Sequence, residues 1–177
     1  QRDDPEAAWN CAKEAIEAGL PIARFQAGPR DVLQPLYEHP AYKRFITAHG
    51  RKLLHGPMLG SLTDRSVRVW VRTADSCSVE IRAQGAYATE NEPTVYRSES
   101  VQSDPDGDYT AVADLTGLQP ETTYSYQVYI DDSPVGEQHL FKTWPTQDEP
   151  GEFRIGMGGG AGYTPQYERM WGTIERY

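Results

Sequence analysis

The stretch TTYSYQVYI at residues 122–130 alternates strictly, with Tyr124, Tyr126, Val128 and Ile130 on one side and Ser125, Gln127 and Tyr129 on the other. Such a period of two demands a half-buried strand, because successive side chains of a strand point to opposite faces. A strand of this kind needs partners, and the chain supplies them. SVRVWVR at 66–72 sets Val67, Val69 and Val71 against Arg68, Trp70 and Arg72, and CSVEIRA, PTVYRSESV, DYTAVADL and EQHLFKTW continue the rhythm. Turn signals fall between them at Gln84-Gly85, Asp104-Pro105-Asp106-Gly107, Leu118-Gln119-Pro120-Glu121 and Asp131-Asp132-Ser133-Pro134. With a lead-in around Met58 to Leu62 this makes about seven strands in roughly 90 residues, the size of a β-sandwich. Tyr124, Tyr126, Val128 and Ile130 are its expected core.

Before Gly56-Pro57 the period is helical. Asp4-Pro5 is an N-cap followed by proline at the first helical position, and Ala8, Cys11, Ala12, Ala15 and Ile16 keep one face up to Gly19. Gly28-Pro29 opens a second element carrying Val32, Leu33, Leu36 and Tyr37. A third, Ala41 to His49, places Tyr42, Phe45 and Ile46 together. Short amphipathic helices pack poorly alone, so these are read as a brace for something larger. His39 and His49 lie near helix ends, where capping or exposure is the expected role, not metal ligation.

Charge narrows the function. Seventeen basic against twenty-six acidic residues give −9, which disfavours nucleic acid or an anionic membrane as the main partner. No run approaches the ~20 apolar residues of a membrane span. QRDDPEAAW at the start is charged and polar and does not read as a signal peptide. Cys11 and Cys77 are the only thiols; they either form one disulfide or stand as two small buried residues.

The end of the chain changes character. PTQDEPGE at 145–152 reads as a linker, and FRIGM at 153–157 as a short strand. Gly156, Gly158, Gly159, Gly160 and Gly162 then crowd a turn, Thr164-Pro165 starts a helix, and Tyr167, Met170, Trp171 and Ile174 share its face. Backbone N–H groups in such a turn favour anions. GMGGGAG nevertheless matches neither the P-loop nor a dinucleotide fingerprint, and it contains no Lys. A strand, turn and helix without a second strand leave apolar faces uncovered. The expectation is therefore the front portion of a longer polypeptide, cut at Tyr177. The expected divisions are a helical segment at 1–55, the sandwich at 56–145, a linker at 146–152 and the start of a further domain at 153–177.

Two resemblances sharpen this. Leu118, Pro120, Thr122 and Tyr124 resemble the L-x-P-x-T-x-Y signature of fibronectin type III domains, in which the tyrosine hydroxyl bonds backbone at a corner. GPMLGSLTDRSVRVWVRT, LTGLQPETTYSYQV, FKTWP and FRIGMGGGAGYTP, taken in order over residues 56–177, resemble the N-terminal half of alkaline phosphatase D (PhoD-like) metallophosphoesterases. The resemblance implies a mainly β fold: a fibronectin III/Ig-like β-sandwich with an N-terminal helical segment and a C-terminal β-α unit opening an α/β/β/α catalytic domain. It implies a secreted or periplasmic enzyme that hydrolyses phosphoesters with bound metals, Ca, Fe, Zn and Mn being indistinguishable here. The partners implied are the remainder of the catalytic domain and the phosphoester substrate. Gly158, Gly159, Gly160, Gly162 and Tyr163 would border the active site, Gly160 standing where relatives often carry a metal-binding cysteine.

The metal ligands would lie beyond Tyr177, so no catalytic residue and no metal are expected in this chain itself. His39, His49, His55 and His139 form no ligand pair by spacing. Asp104-Pro105-Asp106-Gly107-Asp108 is read as an acidic turn before it is read as a calcium loop, lacking the closing Glu. The alternative function is a stand-alone binding module, for which Trp70, Tyr129 and Trp144 would offer an aromatic platform for carbohydrate.

Overall fold

A computed structural model describes residues 4–87 and 94–146, all within one unit, Gln1–Gln147. Four helices come first: α1 (Pro5–Glu17), α2 (Ala23–Ala27), α3 (Arg30–Glu38) and α4 (Pro40–His49). Asp4 caps α1 as its sequence predicts, Oδ1 accepting from the N–H groups of Glu6 and Ala7 at 3.1 Å. The helix ends in a Schellman turn: Gly19 has a φ of +98°, Gly19 N–H bonds Ile16 O, and Leu20 N–H reaches back to Ala15 O. His39 caps α4 by accepting from Ala41 N–H at Nδ1, which leaves Nε2 to carry a proton toward Glu6 of α1, 2.9 Å away. The histidine is thus a cap and a tie between helices.

The helices share a small core of Trp9, Ala12, Leu36 and Tyr42, with Phe25, Leu33, Tyr37, Phe45 and Ile46 against it. Trp9 is its hub, with its ring 6.1 Å from His39, 6.0 Å from Tyr42 and 5.5 Å from Phe45. The α1 face is the one expected at Ala8, Ala12, Ala15 and Ile16, which are buried or half-buried, but Cys11 is exposed and Trp9 takes an inner position instead. The larger aromatic surface of Trp9 outweighs the small thiol at the edge of that face.

The strands are β1 (Leu53–Gly60), β2 (Ser66–Thr73), β3 (Cys77–Gly85), β4 (Val95–Arg97), β5 (Val101–Ser103), β6 (Thr110–Thr116), β7 (Thr123–Ile130) and β8 (Ser133–Lys142). They form two antiparallel sheets, ordered β1-β2-β6 and β4-β3-β7-β8, with β5 also pairing β3. PTVYRSESV thus makes two short strands along one edge. Ser98 causes the break, since its hydroxyl accepts the N–H of Ile81 while its own N–H bonds Ile81 O, displacing the regular ladder.

β1 begins earlier than its sequence predicts, because Gly56-Pro57 sits inside an edge strand whose register slips twice. Glycine is required there. Gly56 has a φ of +88°, and a Cβ would lie 2.7 Å from Trp70 O on β2.

Between the sheets lie Val67, Val69 and Val71 of β2, Val79 and Ile81 of β3, and Ala113 and Leu115 of β6. Tyr124, Tyr126, Val128 and Ile130 of β7 complete the core on the face predicted. Each large apolar side chain buried in this way contributes about 1.5–3 kcal/mol before the entropy of ordering it. The β7–β8 hairpin turns on Asp131 and Asp132, both with positive φ, as a two-residue type I′ turn requires.

Candidate functional site

The glycine turn named from sequence, Gly158, Gly159, Gly160, Gly162 and Tyr163, lies outside the described residues. So does the strand-turn-helix around it. The described residues hold two other polar clusters and a pinned chain exit.

The first cluster joins the helices to the sandwich. Gln26 of α2 is nearly buried, and its amide meets the Arg51 backbone twice, accepting from N–H at 2.9 Å and donating to C=O at 3.1 Å. Further along, Arg30 at the start of α3 lays its guanidinium over the ring of Tyr109, with Cζ 4.2 Å from the centroid. Its Nε lies 3.4 Å from Asp108 Oδ1, and Arg72 Nη2 bonds the same carboxylate at 2.7 and 2.9 Å. The hydrogen bond from Arg72 holds the Asp108 carboxyl below the usual range, against an opposing desolvation. Burial raises the Tyr37 and Tyr42 hydroxyls, with Arg30 pulling the other way in both cases.

These contacts dispose of the calcium reading. The Asp104–Asp108 turn is closed by its own backbone, with Asp104 Oδ1 accepting from Gly107 N–H at 2.8 Å, and Asp108 is held by two arginines. Among the described residues no three His, Cys, Asp or Glu side chains gather to hold a metal. Cys11 and Cys77 are both free thiols in the structure.

The second cluster lies on the outer face of the larger sheet. Arg82 Nε donates to Glu80 Oε2 at 2.9 Å, its Nη2 to Asp132 Oδ1 at 2.8 Å, and its Cζ sits 3.9 Å over the Tyr129 ring. Glu80 is largely shielded, and the hydrogen bond from Arg82 lowers its carboxyl below the ordinary value. Tyr129 thus already carries a cation on its face. Trp70 projects from the outer face of the other sheet, between Met58 and Val112 of its neighbouring strands. Trp144 follows the far end of β8, whereas Tyr129 pairs with Pro134 at its start. The three aromatics occupy separate places and make no common platform.

The chain leaves the sandwich at a knot. Gln119 N–H donates to Tyr124 Oη at 2.8 Å, which is the tyrosine corner that the motif predicts. Thr143, just past β8, is buried against that corner. Its hydroxyl donates to Gln119 O at 2.7 Å and accepts from Thr122 N–H at 2.9 Å, and its own N–H bonds Thr122 O. Trp144 then bonds Thr63 O through its N–H and accepts from Glu121 N–H through its C=O. Sequence reasoning found the tyrosine and missed its partner Thr143. Arg30 and Asp108, 78 residues apart, left no local signal at all.

Fold and corner together define a fibronectin type III-like sandwich preceded by a helical brace. Residues 50–154 match the family described as "Domain of unknown function (DUF7800)", and with more than half of its length matched the chain belongs to that family. No curated protein sequence matches it. Among solved structures it is similar to PhoD at 16% identity, covering 50% of this chain and 18% of that one, with a TM-score of 0.41. It is also similar to the sensor domain of the anti-sigma factor RsgI4 of Pseudobacteroides cellulosolvens, at 18% identity over 49% of this chain and 89% of that one, TM-score 0.38. The fn3 domain of human contactin 1 gives 18% identity, 54% and 79% coverage, and a TM-score of 0.36. At these scores the likenesses carry no argument about activity, and the chain spans less than a fifth of the PhoD polypeptide. No helix among the described residues is long and apolar enough to cross a membrane.

Proposed function

We propose that this chain is the N-terminal part of a PhoD-like metal-dependent phosphoester hydrolase. In this reading the sandwich is a non-catalytic domain that positions the catalytic one, and the metal ligands lie downstream of Tyr177. The observation that carries the reading is the pinned exit. Two of the phrases that resemble the family, LTGLQPETTYSYQV and FKTWP, meet in space through Thr143, Gln119 and Thr122.

The test is an assay of the 177-residue chain on a chromogenic phosphoester with Ca²⁺, Fe³⁺, Zn²⁺ and Mn²⁺ added in turn. The expected result is no turnover by this chain and metal-dependent turnover by a version extended through the following domain. Robust metal-dependent hydrolysis by the chain alone would overturn the downstream placement of the site. The same reading puts the protein outside the cytoplasm, and fractionation that finds it wholly cytoplasmic would refute that part.

A second reading, a binding module, is favoured by one observation. Met58, Trp70 and Val112 face each other directly across β1, β2 and β6 on the outer surface, with Met58 61% and Val112 46% exposed. Limited proteolysis separates the readings. Rapid loss of everything after about residue 150, with no change in the melting of the sandwich, favours the enzyme fragment; protection of that segment favours the module.

A further inference from the structure

A half-open cleft of about 230 Å³ runs between the helices and the sandwich, lined by Gln26, Arg30, Tyr37, Tyr42, Ile46, Ala74 and Asp75. Among the described residues, the buried side-chain polar atoms without a hydrogen-bond partner are Arg30 Nη2 and Tyr42 Oη, and both residues line this cleft. The Gln26 amide and the Tyr37 hydroxyl there are satisfied. Gln26 is used at both ends by Arg51, and the Tyr37 hydroxyl donates to Phe25 O. A buried donor left unmade is costly, and two on one cleft ask for a shared acceptor.

From these donors we propose that the cleft binds a small carboxylate, one oxygen accepting from Arg30 Nη2 and the other from Tyr42 Oη. Tyr42 is 96% removed from solvent (relative exposure 4%), and burial keeps its hydroxyl protonated and therefore a donor. The guanidinium is a permanent cation whose remaining edge is free to bond an anion once Nε is turned to Asp108. Charge sets the class. Arg30 shares its charge with Asp108, and Asp75 stands exposed on the cleft wall, so a monoanion suits the site and a phosphate dianion does not. Ile46, Ala74 and the Tyr37 ring give the apolar side that a short alkyl chain would touch. Bound there, the ligand would bridge α3 and α4 beside the seam with the sandwich.

The test is an amide-detected NMR titration of the full 177-residue chain with propionate at constant ionic strength, with propionamide as the uncharged isostere. Saturable shifts centred on residues around Arg30, Tyr42 and Ala74 are expected, and propionamide should leave them unmoved. Tyr42→Phe keeps the ring and removes one donor, so propionate affinity should fall about tenfold, the loss of one bond to a charged acceptor. Ala74→Leu narrows the cleft from the sandwich side without touching either donor and should abolish binding. It decides the matter if Tyr42→Phe proves poorly folded. Shifts that are scattered or unsaturable, equal with propionamide, or unchanged in both variants would overturn the proposal.

Discussion

The N–H of Gln119 donates to the hydroxyl of Tyr124 at 2.8 Å, closing the crossing from β6 to β7. The Tyr124 ring is held independently, 5.4 Å from Tyr96 and from Phe141 between the sheets. Tyr124→Phe therefore keeps the ring and removes the hydroxyl, with its bond from Gln119 and its interactions with Tyr96 and Thr122. The expected cost is about 1–3 kcal/mol, the penalty of leaving a partly buried donor unmade. Urea denaturation should show a lower midpoint with an unchanged slope. A midpoint equal to that of the parent chain would mean that Thr143 alone holds the corner.

Gln26 and Arg51 make the seam between helices and sandwich testable in the same way. Gln26→Leu keeps the side-chain volume and removes both bonds to the Arg51 backbone. Residues of α2 to α4 should then exchange their amides faster, by the equivalent of about 1–3 kcal/mol, while β2, β3 and β7 keep their protection. Uniformly faster exchange across the sandwich would show that the brace and sandwich fold as one cooperative unit.

Much of the sandwich was legible because its signal is local. The alternation in SVRVWVR and TTYSYQVYI fixes which side chains are inside without reference to any other part of the chain, and Val69 and Val128 lie where it puts them. The motif around Pro120 likewise announced Tyr124. What escaped was everything that depends on a meeting across the fold. α2 is five residues long, too short for a periodic pattern, yet it carries Gln26. Trp9 outranked Cys11 only because Tyr42 and Phe45 arrive from another helix. The Arg30–Asp108 pair could not be seen from either segment. The outward Glu80 and Arg82 were readable in principle, being two apart on a strand, but only the sheet shows that Asp132 and Tyr129 complete their cluster.

That cluster sets the acid limb of stability. Arg82 holds the Glu80 carboxyl below its ordinary value, and Arg72 does the same for Asp108. A depressed carboxylate contributes stability above its unfolded pKa and loses it as pH falls through the lower folded value. The chain should thus lose stability as pH drops below the ordinary Glu range. Glu80→Gln should be less stable than the parent near neutrality, with a shallower decline in acid. Asp108 is more exposed, so its share is smaller. Urea midpoints across the acid range would decide it: parallel curves for parent and Glu80→Gln would rule out Glu80 as a source of the decline.

Tyr126 contributes to the opposite limb, together with Tyr37, Tyr42 and Tyr124, whose hydroxyls burial also raises. The Tyr126 ring is buried between Phe141 at 5.5 Å and His139 at 5.6 Å, and burial pushes its hydroxyl up to about 12. Ionising it inside the sandwich is unfavourable, whereas the unfolded chain ionises it near the ordinary tyrosine value of about 10. A folded pKa raised above the unfolded one gives stability that is fully present below about 10 and lost as pH rises through about 12. Tyrosinate absorbance followed through that window should show one late-titrating class whose onset coincides with loss of strand circular dichroism. Tyr126→Phe removes the ionisable group and keeps the packing. It should leave the neutral midpoint nearly unchanged and carry the folded state to higher pH, and an alkaline transition at the parent's position would show that another tyrosine controls it.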